Sequence, residues 1–117
     1  MDDEEIEREG MAQFIPWDTY GMKVVGTARN GAEGLEKIAK YKPDLAIVDI
    51  KMPVMNGIEM IRKAKKQYPD MTFVVLSGYG DYEFTSQAME LGVRHYILKP
   101  CDEAKMIPVL NKAIAEM

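Results

Sequence analysis

Leu45-Ala-Ile-Val-Asp49-Ile-Lys51-Met-Pro53-Val-Met-Asn56-Gly57 is the stretch whose reading decides the fold. Leu45 to Val48 form an apolar run without alternation, the pattern of a strand buried on both faces of a parallel sheet. The run stops at a carboxylate, Asp49, and Pro53 with Asn56-Gly57 marks a loop before a helical pattern begins at Ile58. In an open α/β sheet the functional crevice lies outside the carboxyl ends of the strands, where Asp49 falls. On this stretch alone, a strand cap or turn residue is an equal alternative.

The 117 residues fit one domain, and 47% hydrophobic with 29% charged residues is an ordinary globular composition. The net charge of −4, a pI near 5.0 and the lack of a basic block give no reason to expect nucleic-acid contact by these residues. A single cysteine, Cys101, excludes an internal disulfide and fits a reducing cytoplasm. No apolar run approaches the roughly 20 residues of a membrane span. The acidic start, Met1-Asp2-Asp3-Glu4-Glu5, is not a signal peptide.

Along the chain, Ile6, Gly10 and Phe14 with Met11 predict a helix ended by Pro16, with Trp17 packed beneath the turn. Met22 to Ala28 reads as a strand in which Gly26 suggests an edge position. Asn30 is a helix N-cap with Glu33 completing a capping-box-like pair, and Leu35, Ile38 and Ala39 form the stripe of that helix. After the Leu45 strand, Met60, Ile61 and Ala64 mark a helix ending near Tyr68-Pro69. Thr72 to Leu76 is a strand running into Ser77-Gly-Tyr-Gly80. A helix from about Asp81 to Leu91 has the weaker stripe Phe84, Ala88, Leu91 and is stopped by Gly92. Val93 to Leu98 is the last strand, and Asp102 caps a helix carrying Met106, Val109, Leu110 and Ala113. Pro108 predicts either a kink there or a regular part that starts after Asp102. The order α-β-α-β-α-β-α-β-α is that of a doubly wound α/β domain.

Asp49, Ser77 and Lys99 then fall at strand carboxyl ends and line one crevice. A carboxylate, a hydroxyl and an ammonium make a phosphoryl-handling set: the first can form an acyl phosphate, the others can neutralise or bond its oxygens. Magnesium would need oxygen ligands, and Asp2 and Asp3 are the available acids. His95 reads as surface-facing and Tyr96 as either a switch or a plain core aromatic.

Four motifs in order, Asp2-Asp3-Glu4, Asp49 to Gly57, Leu76-Ser77-Gly78 and Tyr96-Ile-Leu-Lys99-Pro100, give a sequence that resembles the receiver domain of two-component response regulators over nearly its whole length. The resemblance implies a flavodoxin-like parallel sheet of order 2-1-3-4-5 and a cytoplasmic signalling switch. It implies that Asp49 is the phosphoacceptor, charged by a sensor histidine kinase. Asp2, Asp3, Asp49 and the backbone carbonyl of Lys51 would hold Mg2+. Ser77 would move toward the phosphoryl group, Tyr96 would turn inward with it, and Lys99 would pair with the group. Phosphorylation is expected to remodel the face of the fourth helix, last strand and last helix, with self-phosphorylation and autodephosphorylation the only chemistry. Phe14-Ile15-Pro16-Trp17 and Ser77-Gly-Tyr-Gly-Asp81 resemble the subgroup that precedes an arabinose-regulator-type DNA-binding domain, so a longer protein with that C-terminal output is expected.

One departure stands out. Receivers open with a buried central strand that leads into the acidic pair, and none precedes Asp2. Met1 occupies the place of that strand's last residue, consistent with a misassigned start at an internal GTG codon. The expectation is an N-terminally truncated receiver over residues 1–117, compensated by strand sliding or, preferred, by oligomerisation as a homodimer, with weakened magnesium binding and poor phosphorylation. Two rivals remain: a phosphorylation-independent interaction module, and an aspartate-nucleophile phosphatase, which usually carries a second acid where Lys51 stands.

Overall fold

Two sequences of one form, Asn30-Gly31-Ala32-Glu33 and Asn56-Gly57-Ile58-Glu59, each open a helix. In both, extended backbone at the asparagine lets its Oδ1 accept the amide hydrogen of the glutamate, at 2.8 Å for Asn30 and 2.9 Å for Asn56. Such a bond satisfies a donor that the first helical turn leaves without a partner. Helix α1, Gly31–Tyr41, follows the first cap and α2, Gly57–Gln67, the second. Asn56, taken for loop punctuation in the sequence, is therefore a cap. Glu33 does not complete a capping box, because its carboxylate turns to Arg29, Oε2 to Nε 3.2 Å. Helix α1 ends at Lys42, whose left-handed backbone (φ 46°) directs its amide to the Ile38 carbonyl. Pro43 and Pro69, just beyond the ends of α1 and α2, prevent either helix from continuing.

These elements belong to a computed structural model of the chain, which describes residues 26–49, 56–78, 82–99 and 103–116. Three strands, β1 (Leu45–Asp49), β2 (Thr72–Ser77) and β3 (His95–Leu98), form a parallel sheet in the order β1-β2-β3. Helix α2 connects the first two, α3 (Tyr82–Glu90) the next two, and α4 (Glu103–Ala115) follows β3. The register pairs Leu45 with Thr72 through Asp49 with Leu76, and Val74 with His95 through Ser77 with Leu98. The alternation of strands and helices is the α/β order expected.

Side-chain alternation along β2 divides the core in two. Phe73 and Val75 join Ile38, Val48, Ile58, Met60, Ile61, Ala64 and Ala88 on one face. Val74 and Leu76 join Ile97 and the α4 residues Met106, Ile107, Leu110 and Ala113 on the other. Both faces of the sheet are thus covered by helices, and each fully buried large apolar side chain contributes about 1.5–3 kcal/mol.

Several expectations need correction. Ala39 is exposed; the buried face of α1 is Gly31, Gly34 and Ile38, with Leu35 half-buried, and glycines give no hydrophobic signal. In β1, Ala46 and Val48 are buried but Leu45 and Ile47 only partly so. Gly26 to Ala28 form no strand, and β3 starts two residues after Val93, which is buried in the preceding turn. Pro108 sits inside an unbroken α4, on its exposed side. The amide bond it removes would have gone to the carbonyl of Ala104, also on the exposed side, which keeps the loss inexpensive. The helix at Ile6, Trp17, residues 22–25, Cys101, the Asp102 cap, the absent first strand and the 2-1 half of the sheet order lie outside the described residues.

Candidate functional site

The sheet register determines which polar residues meet. Asp49 is the last residue of β1 and pairs with Leu76, one residue before Ser77 ends β2. Ser77 in turn pairs with Leu98, the last residue of β3, and Lys99 follows. The Lys99 amide donates to the Ser77 carbonyl at 2.7 Å, extending the pairing one step beyond β3. All three residues therefore gather at the carboxyl end of the sheet, as the sequence predicts. The added backbone bond was not foreseen; its signal is the parallel register itself, invisible before the strands are paired.

Within this end, Lys99 Nζ lies 2.5 Å from Asp49 Oδ2, joining residues 50 positions apart. The Asp49 side chain is 5% exposed and that of Lys99 26% exposed. A carboxylate taken this far from water is held only with charged or hydrogen-bonding partners. Ser77 is also buried, at 8% exposure. The result is a shielded carboxylate with an adjacent ammonium, and a hydroxyl on the neighbouring strand.

Tyr96 is half-buried beside the core that holds Val48 and Ala88, and its hydroxyl donates to the Val93 carbonyl at 2.8 Å. Burial raises the pKa of its phenol above the ordinary value near 10. His95 is not surface-facing. It is buried at the start of β3, and its Nε2 lies 3.0 Å from Glu116 Oε2.

Asp2, Asp3 and Lys51 lie outside the described residues, so only Asp49 of the expected magnesium ligands is placed here. Among the described residues no three of the His, Cys, Asp and Glu side chains cluster as a metal site. Among them, too, no helix is long and apolar enough to cross a membrane.

Comparison with known proteins bears on the family and the fold. The sequence matches the response regulator receiver domain family over residues 1–111. YesN of Bacillus subtilis strain 168, described as an uncharacterized transcriptional regulatory protein, is 46% identical over 116 residues. That alignment covers 99% of this chain and 32% of YesN, so the chain spans about a third of this curated relative. The REC domain of AraT, a response regulator from Geobacillus stearothermophilus, superposes with a TM-score of 0.90 at 34% identity, covering 98% of this chain and 89% of that one. A two component transcriptional regulator AraC from Clostridium phytofermentans ISDg superposes with a TM-score of 0.88 at 30% identity, covering 97% and 88%.

Proposed function

The chain belongs to the response regulator receiver domain family, and on that premise we propose that Asp49 accepts the phosphoryl group of a two-component signal. Its fold is accordingly the flavodoxin-like α/β receiver fold. The observation that carries the proposal is the contact between Lys99 Nζ and Asp49 Oδ2 at the ends of the strands. A lysine that reaches over an intervening strand to this carboxylate puts beside it the positive charge that incoming phosphoryl oxygens need.

In the proposed reaction an Asp49 carboxylate oxygen attacks the phosphorus of a phosphohistidine on a sensor histidine kinase. The P–N bond breaks as the acyl phosphate P–O bond forms, and the departing imidazole takes a proton from solvent. Lys99 neutralises oxygens of the incoming group as a point charge, and the Ser77 hydroxyl donates to one of them. A buried, oxygen-only donor such as Asp49 suits magnesium, which Asp2, Asp3 and the Lys51 backbone carbonyl would help to hold. When bound, the ion offsets negative charge on the carboxylate and phosphoryl oxygens. Loss of the group by hydrolysis is the only other chemistry proposed.

Residues 1–117 form one receiver domain in this reading, and its output is a change of surface. The acyl phosphate draws Ser77 toward it, Tyr96 turns inward, and the face of α3, β3 and α4 is remodelled. Because the relatives carry the names of transcriptional regulators and YesN is about three times as long, the proposed receiver of that change is a C-terminal DNA-binding domain of a longer cytoplasmic protein.

Fluoroberyllate, which adds to a carboxylate as a phosphoryl mimic, separates this switch from a phosphorylation-independent module. With magnesium, the amide resonances of Ser77, Tyr96 and Lys99 are expected to shift, and those of Asp49→Asn to stay. Unchanged spectra in the parent chain would contradict the switch.

A further inference from the structure

Among the described side chains of α3, Thr85 to Glu90, Ala88 alone is buried, at 0% exposure, while Met89 is 61% exposed. The chain closes the helix just beyond in a Schellman turn. The Val93 amide donates to the Ala88 carbonyl at 3.1 Å and the Gly92 amide to the Met89 carbonyl at 3.0 Å. Gly92 takes the left-handed backbone that such a turn requires, φ 90°. Val93 is buried and belongs to the same core as Ala88, so the apolar hold on the described part of α3 lies at its C-terminal end.

Two side chains from other elements meet this turn. The Tyr96 hydroxyl, from β3, donates to the Val93 carbonyl at 2.8 Å. From α2, Lys65 Nζ lies 3.4 Å from where a β-carbon on Gly92 would stand. That sets a positive charge at the C-terminal end of the α3 dipole, in a helix with no basic residue in its own last turn. Lys65 stands at the entry end of β2 and β3, away from Asp49.

We propose that the Ala88–Val93 turn is a latch on α3, closed in the resting chain by Tyr96 from the sheet and by Lys65 from α2. The closure stands on the geometry of the turn, and its opening rests on the switch reading above: an inward turn of Tyr96 takes its hydroxyl away from the Val93 carbonyl. The helix whose face is remodelled is thereby tied, through one hydrogen bond, to the residue that responds to the acyl phosphate. Lys65 is a positioning residue in this device. Its charge holds the end of α3 and takes no part in the chemistry at Asp49.

Native-state hydrogen exchange of the resting chain tests the closure. Tyr96→Phe removes one hydrogen bond and is expected to speed exchange of the Gly92 and Val93 amides about two- to ten-fold. Lys65→Met keeps an unbranched stem without the charge and is expected to speed them about two- to five-fold, with Lys65→Arg restoring the parent rates. The Lys42 amide, which closes α1 at its own left-handed turn, is the control and should not change. Unchanged Gly92 and Val93 rates in either Tyr96→Phe or Lys65→Met, or an equal acceleration at Lys42, would overturn the latch whether or not Asp49 is the phosphoacceptor. The opening is read with magnesium and fluoroberyllate, which are expected to speed the same two amides in the parent chain and to add nothing in Tyr96→Phe. Shifted Ser77 and Lys99 resonances without that acceleration would overturn the opening. Unshifted ones would contradict the switch reading, and the opening with it, while the closure stands on the resting chain.

Discussion

The backbone amide of Lys99 donates to the carbonyl of Ser77 at 2.7 Å while the Lys99 ammonium reaches Asp49 on the strand beyond. One residue thereby ties the end of β3 to both β2 and β1. The parallel register determines the reach: each strand ends within a residue of its neighbour's rung, so the three polar residues are brought together without a long loop.

The pair is asymmetric in burial, and its two halves should respond differently to mutation. Lys99→Ala leaves the deeply buried Asp49 carboxylate without its ammonium and is expected to cost about 1–3 kcal/mol, below the cost of breaking a fully buried pair because Lys99 is partly exposed. Asp49→Asn removes the buried charge, and the partly exposed Lys99 ammonium stays within reach of water, so its cost should stay under about 1 kcal/mol. Urea unfolding of the two variants measures both; equal losses would show that the burial difference does not govern the pair.

The caps give a second prediction. Asn30→Ala and Asn56→Ala should each destabilise by about 1 kcal/mol, with the double variant close to the sum because the bonds cap different helices. Midpoints of denaturant unfolding at unchanged slope provide the check.

These caps also show what the sequence could disclose. Asn30 was legible because polar residues precede a helical stripe; Asn56 carries the same Asn-Gly-x-Glu signal, but a turn reading of Asn-Gly concealed it. Asp49, Ser77 and Lys99 were legible because each interrupts an apolar run where a parallel strand must end. The burial of His95 was not, since a polar residue at a strand entry is covered or bare according to what the end of α4 does, 20 residues away. Ala39 misled for a related reason: apolarity suggested a core face, whereas the buried positions of α1 are Gly31, Gly34 and Ile38, and glycines give no hydrophobic signal. The strand order is legible only for the part that β1, β2 and β3 represent.

Tyr96 supplies the pH dependence. Its folded-state pKa is raised by burial, so the unfolded chain loses the phenolic proton first as pH rises. The contribution is fully present below about pH 10, the unfolded value, and is lost as pH climbs toward the folded pKa. Tyr96→Phe should remove this alkaline loss, while costing about 0.5–1.5 kcal/mol at neutral pH through the missing bond to the Val93 carbonyl. Thermal unfolding followed from pH 8 upward distinguishes the two effects.

The core on each side of the sheet is expected to be sensitive. Ile61→Ala on the α2 side and Leu76→Ala on the α4 side each delete a fully buried side chain and should cost about 2–5 kcal/mol. Against the roughly 5–15 kcal/mol total of an ordinary domain, combining the two is expected to unfold the chain, as circular dichroism would record.

Asp49 as phosphoacceptor is tested most directly by the mass of the intact chain after incubation with acetyl phosphate. The expected result is an adduct of at most one phosphoryl group per chain, located on Asp49 alone, that requires magnesium and is absent from Asp49→Asn. An adduct that survives in Asp49→Asn, or no adduct with magnesium and saturating acetyl phosphate, would contradict it.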